Sequence, residues 1–231
     1  MNRLLFSLLI FSFLIVFSCT GNEIGDSKDV NPESIYFDYK IWGEEGNDKL
    51  TVKLQYRFAG ENGTTLLLDE PGKVELDGEI LKADSSKITG VFYEVQKPVA
   101  AFAGKHTIIF TAGNNKQYKE VFNFQPISFA NPVPADIQRG DLVFEFNGLS
   151  GDDKVRVVMT DTSYLSEEIN RVDTVKNGRL IISKEELLAL SNGPVHLEIT
   201  KENERPVKNG TMEGGRLSIS YGLKREFMLK D

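Results

Sequence analysis

The sequence is poor in the residues from which most catalytic and metal sites are built. Cysteine occurs once, at Cys19, so neither a disulfide framework nor a cysteine zinc site can form within the chain. There are two histidines, His106 and His196, and we expect His196 on the outward face of its strand. No nucleophile elbow, HExxH motif, P-loop or dinucleotide fingerprint is present. We therefore expect a protein that is not an enzyme and that holds no cofactor or metal.

Clustered basic residues are also lacking. Lys and Arg number 27 against 34 Asp and Glu, and no run of the sequence gathers the basic ones. Loss of Arg3 with the first 18 residues would leave 26 basic residues and a net charge near −8. Such a chain repels nucleic acid and anionic lipid headgroups, so we expect neither as a ligand.

Long apolar runs are absent except at the start of the chain. Arg3 precedes an almost unbroken apolar run over Leu4–Phe17, and the small residues Ser18 and Cys19 follow it. The run is about 14 residues long, whereas a helix needs about 20 to span hydrocarbon. A basic start, a short apolar segment and a small-residue end predict a secretory signal peptide over residues 1–18.

The segment Val16-Phe17-Ser18-Cys19 resembles the lipobox of bacterial lipoproteins, although Phe17 is bulkier than the residue that family usually has there. The resemblance implies cleavage between Ser18 and Cys19, a diacylglyceryl group on the Cys19 sulfur, and a further acyl chain such as palmitate on the new amino terminus. Two or more chains give stable anchoring to a membrane. The alternatives are an accidental cysteine after a cleaved signal and a buried cysteine in a cytosolic protein.

In some bacterial lipoproteins an Asp after the cysteine retains the protein in the inner membrane. Thr20 follows Cys19, so the resemblance implies the outer membrane and leaves the surface and periplasmic sides both open. Residues 19–31 are polar and show no periodicity. We therefore expect this segment to be a disordered tether.

Beyond residue 31 apolar residues recur with a period of two, which is typical of half-buried strands. Hairpin turns are predicted at Asp77-Gly78, Gly113-Asn114-Asn115 and Asn177-Gly178. Ser183 and Glu186 predict the capping box of one short helix.

Three prolines within residues 126–134 predict an extended linker. The linker separates two segments, 32–125 and 135–231, each of ordinary sandwich size. We therefore predict an all-β chain of two tandem immunoglobulin-like β-sandwich domains, with the short helix in the second. This layout resembles the immunoglobulin-like lipoproteins of Bacteroidota.

Tyr36 and Trp42 are the candidate contacts for a glycan or a partner protein. They share the polar face of the first long strand and lie about 20 Å apart at about 3.3 Å per residue, so they would mark separate subsites. The alternative is that Trp42 covers one end of the sandwich near Gly43. Asp173-Thr174-Val175 resembles the O-glycosylation motif of Bacteroidota, which implies a glycan on Thr174.

The resulting hypothesis is a non-catalytic, lipid-anchored envelope protein that presents its sandwiches to a protein or a glycan. One alternative is a glycan-binding lipoprotein that serves an outer-membrane polysaccharide uptake system. Another is a fimbrial or other structural subunit.

Overall fold

The computed structural model describes residues 23–151, 153–163 and 166–231. The predicted signal peptide, its cleavage site and Cys19 lie outside this part of the chain. Single turns of 3-10 helix occur at Ser27–Asp29, Pro32–Ser34 and Val99–Ala101. The first half forms ten strands: β1 Ile24–Asp26, β2 Ile35–Glu44, β3 Lys49–Phe58, β4 Thr64–Leu67, β5 Lys73–Leu76, β6 Glu79–Ile80, β7 Ala83–Ser86, β8 Gly90–Pro98, β9 Gly104–Thr111 and β10 Gln117–Phe124.

The described part of the second half adds shorter strands, one helix and a long C-terminal hairpin. These elements are β11 Ser128–Phe129, β12 Asp136–Gln138, β13 Leu142–Asn147, β14 Lys154–Asp161, β15 Ile169–Thr174, β16 Arg179–Ile182, α1 Lys184–Leu187, β17 Gly193–Pro206 and β18 Gly215–Lys230. The predicted all-β class with one short helix is confirmed.

A large sheet runs through both halves in the order β1-β4-β3-β2-β18-β17-β14-β15. Strand β8 pairs with β3, β7 with β8, and β12 with β18. Two smaller sheets have the orders β10-β9-β5-β6 and β11-β13-β16.

The first half is a β-sandwich because the inner faces of two sheets pack through aromatic rings. Phe37 of the large sheet lies 5.1 Å from Phe110 and 5.6 Å from Tyr118, measured between ring centroids. Phe110 and Tyr118 belong to β9 and β10 of the four-stranded sheet. Edge-to-face contacts at such distances add to the stability that burial supplies.

The C-terminal strand joins the two halves. Its first part pairs with β2 in parallel, from Gly215 opposite Phe37 to Gly222 opposite Glu44. Its last part pairs with β12, where Met228 lies opposite Asp136. Strand β18 therefore completes the large sheet beside β2 of the first half. The prediction of two tandem domains does not include this pairing between the halves.

The segments predicted as tether and linker both contribute strands. In β1, Ile24 lies opposite Thr65 of β4, and the buried Ser27 accepts a hydrogen bond from Asp69 N at 2.9 Å. The prediction of a disordered tether is therefore wrong from residue 24 onward, because the edge of β4 offers backbone groups for pairing. In the linker, Ser128–Phe129 pairs with β13 at the edge of its sheet, where prolines are tolerated.

The structure contains the turn at Asp77-Gly78 and the helix cap at Ser183 that the sequence predicts. Asp77 and Gly78 have φ values of 50° and 86° and connect β5 to β6. Ser183 Oγ accepts from Glu186 N, while Glu186 Oε2 accepts from Ser183 N at 2.9 Å. Within the described residues no helix has the length and apolar character needed to cross a membrane.

Candidate binding sites

Trp42 lies near the end of β2 on the outer face of the large sheet, and 40% of it is exposed. Its neighbours in register are Thr51 on β3 and Ser220 on β18. The indole borders a hollow of about 510 Å³. Its further lining includes Asn47, Gln96 and the charged residues Glu44, Asp48 and Lys49. Trp42 therefore borders an open polar hollow, and the buried side chains of Leu50 and Tyr221 lie beside Gly43.

An exposed aromatic face bordered by two amides, one hydroxyl and three charged groups suits a ligand that is apolar on one side and polar around its rim. Amide groups both donate and accept hydrogen bonds, and the indole N–H donates. No described residue accepts a bond from the indole of Trp42. The hollow also falls within the size range of small-ligand sites.

Tyr36 shares the outer face with Trp42 but lies in different surroundings. It is half-buried, and burial together with the nearby Glu61 carboxylate raises the pKa of its phenol. Between the two aromatic residues lies Asp38, which is only 2% exposed and accepts from Arg216 Nε at 2.9 Å. The structure therefore does not bring Tyr36 and Trp42 into one site.

An ion cluster surrounds the buried Asp38 carboxylate. Lys40 Nζ lies 3.5 Å and Arg57 Nε 3.9 Å from Asp38 Oδ2. The hydrogen bond to Asp38 raises the pKa of Arg216, whose guanidinium also pairs with Glu61. Three cations thus face two carboxylates, so the cluster keeps one surplus positive charge, and Arg57 Nε has no hydrogen-bond partner among the described residues.

His106 is buried, which the sequence did not indicate. Its Nδ1 lies 2.7 Å from Asp77 Oδ2, its Nε2 lies 2.8 Å from the Phe102 carbonyl oxygen, and its ring stacks on that of Phe102. Both ring nitrogens are thus occupied, so His106 is not available as a general base. His196 is 43% exposed and faces Glu226 at 3.8 Å, as the alternation predicts.

Thr174 lies exposed at the end of β15, an edge strand, and its backbone N–H donates to Asp173 Oδ1 at 2.8 Å. Its modification stays a prediction. In the described part of the chain no group of three His, Cys, Asp or Glu side chains is arranged to hold a metal ion.

A second cavity, of about 520 Å³, lies between β10 and the C-terminal hairpin. Sequence reasoning missed it, because Lys105 and the basic residues of 201–208 are distant in sequence and no local run signals them. We call this cavity the hairpin cleft.

Comparison with known proteins gives distant structural likenesses. No protein-family model matches the chain, and no curated protein matches it significantly. Among solved structures the chain is similar to the two-domain fragment DIP-gamma IG1+IG2, at 12% identity, 82% coverage of this chain, 97% coverage of that chain and a TM-score of 0.24.

The chain is also similar to an adhesion-protein fragment and to a glycan-binding protein complex. A tetra-tandem repeat from the extending region of a large adhesion protein is 14% identical, with 86% of this chain and 68% of that chain covered and a TM-score of 0.26. SGBP-B of the Bacteroides ovatus mixed-linkage glucan utilization locus, in complex with a mixed-linkage heptasaccharide, is 11% identical, with 90% and 65% covered and a TM-score of 0.20. The assignment of a β-sandwich rests on the ring contacts between the two sheets of the first half.

Proposed function

We propose that this chain is a non-catalytic protein of the bacterial cell envelope, anchored through lipid on Cys19, that contacts a glycan at Trp42. The exposed indole in its polar hollow carries the glycan part of this proposal. The lipobox-like segment before Cys19 supports the anchor.

A glycan fits the hollow better than an apolar ligand does. The indole supplies a flat apolar face, while Thr51, Asn47 and Gln96 supply neutral polar groups around it. Sugar rings present both an apolar C–H face and hydroxyls at their rim, so the two kinds of group are satisfied together. A purely apolar ligand would leave the amides without partners, at a cost in free energy.

The anchor and the fold are close together in the chain. Strand β1 begins at Ile24, five positions after Cys19. Even fully extended, five residues span at most about 18 Å. A lipid on Cys19 would therefore hold the first sandwich close to the membrane surface.

Affinity electrophoresis through gels that contain neutral polysaccharides tests the glycan contact. We expect a neutral glucan or mannan to retard the wild type, Trp42→Phe to be retarded less, and Trp42→Ala to migrate as in the empty gel. Ile88→Ala is the matched control, since Ile88 is 84% exposed in the same half and does not line the hollow. Equal retardation of Trp42→Ala and the wild type, or none across a broad panel, would contradict the proposal.

Mass spectrometry of the mature protein tests the anchor independently. We expect the mature chain to begin at a lipid-modified Cys19, and Cys19→Ser to move from the detergent phase to the aqueous phase. A mature chain that starts elsewhere, or an unmodified thiol, would rule out the anchor and leave the glycan contact untouched.

A further inference from the structure

The hairpin cleft has a local charge opposite to that of the whole chain. One wall is formed by residues 121–125, and the other by residues 201–205 of β17 and 219–221 of β18. Its charged lining consists of one acid, Asp153, and four cations: Lys105, Lys201, Arg205 and Lys208. The chain as a whole has a net charge of −7.

Two of the four cations are already compensated. Arg205 Nη2 donates to the buried Glu120 carboxylate at 2.6 Å, and Lys201 Nζ donates to Asp153 Oδ2 at 2.9 Å. Burial raises the pKa of Asp153, but hydrogen bonds from Ser150 and Lys201 outweigh that effect and hold the pKa below its ordinary value. Asp153 therefore stays ionised at neutral pH and keeps Lys201 in place.

The other two cations are free. The ammonium groups of Lys105 and Lys208 are exposed, and neither has an ion-pair partner among the described residues. They come from β9 and from the loop that follows β17, so the fold brings them to one cavity from separate elements. The cleft thus carries surplus positive charge at neutral pH.

Neutral polar groups occupy the remaining lining. The side-chain amides of Asn123, Gln125 and Asn203 form no hydrogen bond within the described part of the chain. Each can donate and accept, which matches hydroxyl groups. A ligand that combines oxyanions with hydroxyls would therefore use both kinds of group in the cleft.

An added peptide strand is less compatible with this wall. Strand β10 is the edge of its sheet, but Arg205 Nη2 donates to the Val121 carbonyl at 3.1 Å and Asn209 Nδ2 donates to the Lys119 carbonyl at 2.9 Å. These bonds occupy acceptors that an incoming strand would need. The edge is therefore covered in part by the protein itself.

We propose that the hairpin cleft binds an anionic saccharide, a carboxylated or sulfated sugar chain, whose oxyanions contact Lys105 and Lys208 and whose hydroxyls contact the amides of Asn123, Gln125 and Asn203. The cavity volume of about 520 Å³ lies within the range of small-ligand sites. No residue lines both this cavity and the Trp42 hollow. Ser220 of the cleft is the register neighbour of Trp42, so a Trp42 variant tests whether the two sites bind separately.

Titration calorimetry with polygalacturonate, dextran sulfate and neutral dextran tests this proposal on the wild type and two double variants. Lys105→Gln with Lys208→Gln removes the free charges. Lys82→Gln with Lys87→Gln is the matched control, since both lysines are exposed, belong to no ion pair in the described residues and cause the same change in net charge.

We expect the wild type to bind at least one of the acidic polymers and not dextran. Loss of two charge-assisted hydrogen bonds should weaken binding by about tenfold or more in the cleft variant, while the control variant stays within about twofold. Binding should also weaken as salt is raised. Trp42→Ala should bind the acidic polymer as the wild type does, which separates this site from the proposed function.

Four results would overturn the proposal: no binding of either acidic polymer, equal loss in both double variants, poly-glutamate bound as tightly as the saccharides, or lysine-dependent sedimentation with phosphatidylglycerol vesicles. The third would assign the cleft to an acidic peptide, and the fourth to a lipid headgroup. Far-UV circular dichroism of each variant verifies that the fold is unchanged.

Discussion

The two halves of the molecule are built differently although both are β-structures. The first half has an aromatic core, in which Phe37, Tyr56 and Phe110 lie within 5.4 Å of one another between ring centroids. In the second half the rings of Phe144 and Phe146 lie on β13, whereas β14 and β17 bury aliphatic residues and one methionine. These are Val155, Val157, Met159, Val195, Leu197 and Ile199.

The halves also differ in where their strand partners come from. Strand β14 pairs with β15 and β17 of its own half, whereas β2 of the first half pairs with β18 from the end of the chain. Thr211 Oγ1 donates to the Ile35 carbonyl at 2.6 Å across 176 positions of sequence. Closing so long a loop costs entropy before any contact is gained. The first half therefore depends on the second for a complete sheet, and we expect the two to unfold together.

The largest loss of stability is expected from Gly215→Val, which places a side chain at the junction between β18 and β2. A Cβ at Gly215 would lie 2.5 Å from the Phe37 carbonyl oxygen and 2.7 Å from Phe37 Cβ, so β18 would have to move away. Overpacking of this kind costs about 3 kcal/mol. Urea unfolding followed by fluorescence and by far-UV circular dichroism measures the change, since the sole tryptophan, Trp42, reports on the first half.

Gly113→Val is the control for this prediction, because a Cβ at Gly113 meets nothing within 4 Å. We expect the fluorescence and dichroism midpoints of Gly215→Val to fall together. A fluorescence midpoint that falls while a second dichroism transition stays in place would show that the halves unfold independently. That result would contradict the expectation that the two halves unfold together.

A smaller loss is expected from Glu120→Ala, which removes the attachment of the hairpin tip to the first half. Glu120 is 2% exposed and accepts from Arg205 Nη2 at 2.6 Å and from Lys208 N at 2.7 Å. Leaving these donors without a partner should cost about 2 kcal/mol. Glu202→Ala on the same hairpin breaks only an exposed pair with Arg156 and should cost less than about 0.5 kcal/mol. Similar losses of unfolding free energy in both variants would mean that the burial of Glu120 does not strengthen its contribution to stability.

The features that the sequence predicted are those with local causes. The turn at Asp77-Gly78 and the cap at Ser183 depend on residues within four positions of each other. The exposed side of Trp42 follows from the alternation along β2. Each of these features is determined by neighbouring residues and does not depend on which distant strands pair.

The features that the sequence did not predict depend on distant pairs. The β2–β18 junction, the burial of His106 beside Asp77 and the meeting of Lys105 with Lys208 all bring together residues that are separated by long stretches of chain. Strand β1 was not predicted for a different reason. Its three residues are too few to show a period, and pairing with β4 is what orders them.

Glu33 joins three parts of the molecule and carries the smallest of the predicted effects. Its Oε1 accepts from Lys116 Nζ and from the Tyr118 hydroxyl, each at 2.7 Å, and its Oε2 accepts from Met212 N at 3.3 Å. The hydrogen bonds from Lys116 and Tyr118 lower the pKa of the Glu33 carboxyl below its ordinary value of 4.5. The turn before β2, the four-stranded sheet and the loop of the C-terminal hairpin therefore meet at one carboxylate.

A lowered pKa in the folded state means that Glu33 stabilises the fold above the pKa of the unfolded chain. That stabilisation disappears as the pH falls through the folded pKa. We expect the difference in melting temperature between the wild type and Glu33→Gln to be largest near pH 7 and to shrink below about pH 4. Glu213→Gln, an exposed change in the same hairpin loop, should leave the melting temperature unaltered at each pH. A Glu33→Gln difference that does not vary with pH would mean that the hairpin loop docks on the first half without this charge.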